Sequence, residues 1–280
     1  MDRLKRLIAD PRRAQIAVLA CLLVYGTVFR NFVLTPLAIP LALGTALLVE
    51  HLIFRFRKEG RPRPPYESAL ISGLSSLLLF RSTEPWAYVA VAGFAVASKV
   101  IFQFDGRHFI NPTNGAVILG SLFLPGWITP GQWGHDVVFA FALMAGASLT
   151  LTRAGRLDTA IAFLGSVLFF HAVRHFVFGY RWATTGHLLE SGALWLFALY
   201  MITDPRTTPQ DRRLRYLHAF MVAGFAISLA QFWYVRDSFL WSLFLLAPLV
   251  PLADRLTVDA TNPPKKADGG LDVRSFAPTS

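Results

Sequence analysis

Asp105-Gly106-Arg107-His108-Phe109-Ile110-Asn111-Pro112 interrupts the chain between the apolar runs 85–103 and 112–125. A second interruption, Thr203-Asp204-Pro205-Arg206-Thr207-Thr208-Pro209, closes the apolar run 187–203. Polar, charged and turn-forming residues at the ends of long hydrophobic stretches mark loops at a membrane boundary, where backbone and side-chain groups can meet a ligand. On either side of these loops the same alternation of apolar run and short polar break continues along nearly the whole chain.

That pattern makes lipid the solvent. Of the 280 residues, 54% are hydrophobic and 16% charged, too little polar surface for a water-soluble globule of this size. The net charge of +10 could suit nucleic acid, but the basic residues sit between apolar runs and form no contiguous patch. No nucleic-acid partner is expected; the lipid bilayer is. The single cysteine, Cys21, excludes an intrachain disulfide and a thiolate cluster. No cleavable signal peptide is expected, because the first apolar run lacks a small-residue cleavage site and leads directly into another.

The fold class expected is an all-α polytopic membrane protein of about ten transmembrane helices. They fall near 14–32, 35–54, 67–80, 85–103, 112–125, 136–152, 158–178, 187–203, 214–233 and 238–253. The segments 67–80 and 112–125 are short of the about 20 residues that a straight crossing of about 30 Å requires, so they would be tilted or extended by their polar flanks. With the N-terminus cytoplasmic, 22 of the 27 Lys and Arg residues fall on the cytoplasmic side, and only Arg30, Arg81, Arg174, Arg181 and Arg236 fall outside. This bias places both termini inside a cell inner membrane. Residues 1–13 form a basic N-terminus, 14–254 the membrane domain and 255–280 a polar tail expected to be disordered.

An internal echo divides the spans into five and five. Ser68-Ala69-Leu70-Ile71-Ser72-Gly73-Leu74 opens the third span, and His187-Leu188-Leu189-Glu190-Ser191-Gly192-Ala193-Leu194 opens the eighth. Five is odd, so the two halves, 14–125 and 136–254, would be inverted repeats. Serine-glycine pairs also serve simply as packing sites in membrane helices, and both readings stand.

Asp105, Arg107, His108 and Asn111 supply a carboxylate, a fork of donors, an imidazole and an amide, enough to bind an isoalloxazine edge or a phosphate. Thr203, Asp204 and Thr207 add hydroxyl and carboxylate groups beside Pro205. Equally, Asp105 and Asn111 suit helix capping, Arg107 suits a cytoplasmic loop, and the second segment suits a capped helix end. Glu190, with Ser191 and Ser72, is the candidate ion pathway, because a carboxylate in an apolar run is costly unless it is used. Glu67 and Glu50-His51 read as interfacial. His171 and His175, at i and i+4, lack a further ligand at compatible spacing, so structural hydrogen bonding is expected and no metal site.

Ser68 to Leu79, Phe104 to Pro112, His187 to Pro209 and Ala247-Pro248-Leu249-Val250-Pro251-Leu252-Ala253-Asp254 resemble, in order, the homologous B and D subunits of the sodium-pumping NADH:quinone oxidoreductase (NqrB) and the Rnf complex (RnfD). The resemblance covers about residues 60–255. It implies ten helices in two inverted repeats, flavin binding, and electron transfer coupled to ion movement with other membrane or redox subunits as partners. Those subunits carry a covalent FMN on a threonine in a long loop after the fifth helix. Here that loop is only Pro125 to Asp136 and lacks the Ser/Gly-x-Ala-Thr motif, so the chain resembles shorter members such as UnbU. Any flavin, riboflavin or FMN, is expected to be non-covalent. Without a nucleotide-binding glycine motif or a ferredoxin-type cysteine set, electrons would have to come from a partner. A permease-like transporter and a cofactor-free accessory subunit are the alternatives.

Overall fold

The structure, a computed structural model, describes residues 11–57, 64–129 and 155–261. In chain order the elements are α1 (Pro11–Phe29), α2 (Ala38–Arg57), α3 (Tyr66–Leu79), β1 (Phe80–Arg81), α4 (Pro85–Ile101), β2 (Gln103–Phe104), β3 (Arg107–His108), α5 (Pro112–Phe123) and β4 (Trp127–Ile128). They continue with α6 (Leu157–Phe178), α7 (Trp182–Leu189), α8 (Gly192–Leu196), a π-helical turn (Phe197–Met201), α9 (Arg212–Phe232), α10 (Ser238–Leu246) and α11 (Leu249–Thr261). Helix coincides with each expected segment except 136–152, which lies outside the described residues.

Among the described residues, three helices are long and apolar enough to cross a membrane, at Arg12–Phe29, Ala38–Arg57 and Leu157–Phe178. A fourth span results if α10 and α11, bent by 47° at Ala247-Pro248, count as one. Proline lacks the N–H that would continue the ladder, which accounts for the bend within the run expected at 238–253. The run expected at 187–203 is likewise broken, since α7 stops at Leu189 and Ser191 is extended before α8 begins. Phe56, Phe123 and Phe176 are 80%, 77% and 78% exposed, a surface made for lipid.

Short strands are not foreseen by an all-helical reading, and they solve the problem of the short helices. After α3 the chain runs extended, and Phe80 and Arg81 pair with Ile128 and Trp127 beyond α5. Thr129 donates its N–H to Leu79 O at 2.9 Å. Backbone groups that no helix satisfies are thereby paired, with Phe80 and Arg81 buried in the protein.

Packing rests on small residues. Ala38, Ala42 and Ala46 recur every fourth position of α2, all at most 1% exposed, and α3 approaches them through Gly73. The same stripe ends in Glu50, whose side chain is buried against the neighbouring helices. In the first half α2 packs on α3 and α4, and α4 on α5; in the second α6 packs on α9, and α9 on α10. The halves meet where α5 packs on α10, and there Asn114 Nδ2 donates to Leu240 O at 3.0 Å. Phe163, Phe197 and Phe239 tie α6, the π-turn and α10 together, with ring centroids 5.2 to 5.7 Å apart.

The ribbon makes Gly126 sensitive. A Cβ there would lie 2.2 Å from Phe80 Cζ and 2.7 Å from Arg81 O, and Phe80 is fully buried with no room to yield. Gly126→Ala should cost about 1–3 kcal/mol by overpacking. Thermal unfolding in detergent reads this directly, and an unchanged midpoint would show that the ribbon carries no strain-sensitive contact.

Candidate functional site

The first polar segment is a hairpin. Gln103 pairs with His108 and Phe104 with Arg107, leaving Asp105-Gly106 as a two-residue turn with φ of 50° and 74°. Both angles are left-handed, the pattern that Asp-Gly favours in such turns. Asp105 is therefore an exposed turn residue, and it lines neither of the two cavities described below. Its Asp-Gly signal is readable in the sequence as a hairpin rather than as a ligand set.

Arg107 points across to the second polar segment. Its Nε donates to Arg206 O at 2.7 Å and its Nη2 to Pro205 O at 2.7 Å and also to Thr208 O. Nη1 meets Asp254 Oδ2 at 2.7 Å, and the other oxygen of Asp254 accepts Gln210 N–H at 2.7 Å. One guanidinium thus clamps the hairpin, the 203–209 loop and α11 together. Arg156, just before α6, reaches the same loop, with Nη1 3.4 Å from Thr208 Oγ1 and from Pro209 O. Within the loop, Asp204 Oδ1 accepts Arg206 N–H at 2.9 Å and its carbonyl accepts from Thr207 N and Thr208 Oγ1. Thr207 is buried but lies outside the cavity described next. Asn111 caps α5, its Oδ1 accepting Asn114 N–H at 3.1 Å, with Pro112 at the first helical position.

Between the two loops lies a cavity of about 350 Å³. His108, Asn111, Thr203, Asp204 and Ser72 line it, five of the expected site residues from three separate stretches of chain. Ile71, Leu78, Leu79, Leu196, Leu199 and Met201 supply apolar wall. Ser68, Ser75, Lys99 and Tyr200 also line it, and sequence reasoning singles out none of these as a site residue. Lys99 counts there only toward the charge bias. Its position near the C-terminal end of α4, on the side facing α3, cannot be read without knowing how the two helices pack. Tyr200 Oη is buried and, among the described residues, has no hydrogen-bond partner. A hydroxyl so placed suits a ligand with a polar edge.

Burial lowers the His108 imidazole to about 4; Asp204 opposes that shift, while Arg206, Lys99 and Arg107 add to it. It is therefore neutral near pH 7, an uncharged hydrogen-bonding group on the cavity wall.

A second cavity, about 850 Å³, opens at the opposite ends of the helices and is lined by Ser191, Arg174, His171, Arg236 and Asp237 among others. Leu79, Leu196 and Met201 line both cavities and stand where the two approach. Glu190, expected as a buried ion-pathway group, is 64% exposed at the break between α7 and α8, with one oxygen 3.9 Å from His187 Nδ1. It lines neither cavity, because the turn that ends α7 brings Ser191 inward instead. His171 Nδ1 lies 3.2 Å from Thr185 Oγ1 and His175 Nδ1 2.5 Å from Tyr180 O, so both imidazoles are engaged in local hydrogen bonds.

Residues 119–262 match the model of the NQR2, RnfD, RnfE family. The chain is similar to the D subunit of the ion-translocating oxidoreductase complex of Tolumonas auensis, 31% identical over 113 residues that make up 40% of this chain and 32% of that protein. It is also similar to the protein of the same name from Aeromonas hydrophila, 26% identical over 304 aligned positions that take in 80% of this chain and 85% of that protein. An alignment longer than the chain itself means that the Aeromonas protein carries segments this chain lacks.

Two outcomes are expected from these contacts. Arg107→Ala removes the donors shared by Pro205, Arg206 and Thr208 and should cost about 2–3 kcal/mol, with faster proteolysis of the 203–209 loop. A loop no more cleavable than in the wild type would show that Arg107 does not hold it. His108 supplies the second outcome. Its folded value lies below the ordinary 6.5, so the unfolded chain binds more protons between them. Its contribution is complete above about pH 6.5 and declines as pH falls toward 4, by up to about 3 kcal/mol. His108→Gln should flatten this part of the stability profile; a variant whose melting temperature falls with acid as steeply as the wild type would exclude His108 as the cause.

Proposed function

The chain belongs to the NQR2, RnfD, RnfE family, and from that membership we propose that it is the integral membrane subunit of an ion-translocating oxidoreductase complex, with the cavity between its two polar loops as a non-covalent flavin site. The observation that carries this reading is the cavity itself. A mostly apolar space of about 350 Å³, with a cluster of serine, histidine, asparagine, lysine and tyrosine groups on its wall, is of the size and chemistry of a small cofactor site. The buried Tyr200 hydroxyl, without a hydrogen-bond partner among the described residues, supports it. Ser72, His108, Asn111, Tyr200, Thr203 and Asp204 would hold the ring, while Arg107 holds the loops that enclose it.

A bound flavin supplies a carrier of one or two electrons. The protein's own residues contribute binding, exclusion of water by the apolar wall, and a neutral imidazole that presents a hydrogen-bonding nitrogen. Electrons enter and leave through partner subunits of the complex. No threonine motif for a phosphoester bond is present in the 125–136 segment, so attachment is non-covalent.

An inverted repeat of five helices is part of the same proposal. It is supported by the parallel order of packing in the two halves and by their cavities. Ser72 of α3 and the start of α5 line the first; Ser191 before α8 and the start of α10 line the second. The charge bias puts the 105–112 and 203–209 loops on the cytoplasmic side of the inner membrane. A permease-like role is the second reading, favoured by the approach of the two cavities at Leu79, Leu196 and Met201. Substrate uptake by vesicles holding only this chain would select it.

Protein purified gently in detergent should show flavin absorbance that acid or denaturant releases, with no fluorescent band on a denaturing gel. Tyr200→Phe should lower flavin affinity about tenfold, since a lost hydrogen bond in a dry site costs about 1–3 kcal/mol. A colourless preparation that binds neither riboflavin nor FMN would overturn the flavin site. Topology is tested on α9, whose two ends are exposed. In a Cys21→Ala background, Tyr234→Cys should react with an impermeant thiol reagent on intact cells and Gln210→Cys should not. The reverse pattern would invert the orientation.

A further inference from the structure

Lys99 stands out among the groups around the first cavity. It lies near the end of α4, its side chain is 13% exposed, and its Nζ donates to Ser68 O at 3.0 Å and Ser68 Oγ at 2.9 Å. A Glu50 oxygen is 3.8 Å away, beyond hydrogen-bond range, so the described hydrogen bonds use two of the three ammonium donors. Glu50 is the carboxylate that offsets the burial of this ammonium, and the described hydrogen bonds leave one Nζ donor on the side of the cavity that Lys99 lines. Arg12 and Arg206 also line the cavity, and Asp204 is the only carboxylate of the described residues that does so. Asp204 already accepts a backbone hydrogen bond from Arg206. Leaving Arg12 aside, Lys99 and Arg206 line the cavity against the single carboxylate Asp204, with Glu50 beside Lys99 but outside the lining.

Resting on the flavin reading above, we infer that the cavity selects its ligand by negative charge and that Lys99 is the residue that reads it. Two sources of that charge share one chemistry: the phosphate of FMN, or the ring of a reduced flavin, which is more acidic than the oxidised one. Lys99 serves either as a point charge with an unspent donor, close to the mouth marked by Arg12 and Arg206. Glu50, on the far side of the ammonium, keeps it charged and oriented between two helices in the absence of ligand.

The test uses the full chain in detergent, titrated with riboflavin and with FMN under oxidising conditions, followed by the midpoint potential of bound riboflavin. FMN binding at least tenfold tighter than riboflavin assigns the charge to the phosphate. A potential for bound riboflavin above that of free riboflavin, about 30 mV for each tenfold preference for the reduced form in a two-electron couple, assigns it to the ring. In either case Lys99→Met should remove the discrimination and Lys99→Arg should retain most of it. The comparison on the wild-type protein decides charge selection even where Lys99→Met fails to fold, and Lys99→Gln then tests the residue: discrimination retained in a folded Lys99 variant without the charge overturns the role of Lys99. Equal affinity for the two flavins together with an unshifted potential overturns the inference and leaves the flavin site standing. Binding of neither flavin overturns the flavin site and the inference with it.

Discussion

Everything distinctive in this structure follows from the need to satisfy backbone polar groups where helices stop inside a membrane. A helix that ends in lipid exposes carbonyls and N–H groups at a cost of several kcal/mol each. Helices α3 and α5 are too short to reach both surfaces, and the chain responds with the Phe80–Arg81 and Trp127–Ile128 ribbon. At the break between α7 and α8 the Trp195 indole donates to Leu189 O at 2.7 Å, and Ser191 N–H to Leu188 O at 3.0 Å. Interrupted helices are thus stable here, and interruption leaves space beside them.

That space is where the flavin site is proposed. The first cavity exists because α3, the π-turn after α8 and the start of α5 do not fill the volume between the two polar loops. The loops stay in place because Arg107 spends its donors on three carbonyls and a carboxylate rather than on a ligand. Its role is to position, and the groups it positions, among them Asp204 and Thr203, face the cavity. A charged residue near a site need not touch the ligand to be indispensable to it.

Some of the site is legible from residues alone. Asn111 as a helix cap follows from an Asn-Pro pair before an apolar run, because capping is local chemistry between residues three apart. His108, Thr203, Asp204 and Ser72 are marked by polarity at the ends of apolar runs, and the fold gathers them. Glu190 is marked by the same logic and is exposed instead, since the break at Ser191 reverses which side chain turns inward. Lys99, Ser68 and Tyr200 escape sequence reasoning because a lone lysine, serine or tyrosine in an apolar run carries no spacing signal.

The sequence by itself determined that the chain lives in lipid, roughly where most of its described apolar helices fall though not where they break, and that its polar residues concentrate in two loops. These properties depend on hydrophobicity, proline, glycine and capping, all of which act between near neighbours in the chain. Tertiary structure alone decided that two loops some hundred residues apart close on one cavity, that Arg107 is a clamp, and that Lys99 and Glu50 face each other across α2 and α4. Those outcomes depend on which faces of the helices meet, and small residues such as Ala42, Ala46 and Gly73 set that by how closely they let two backbones approach.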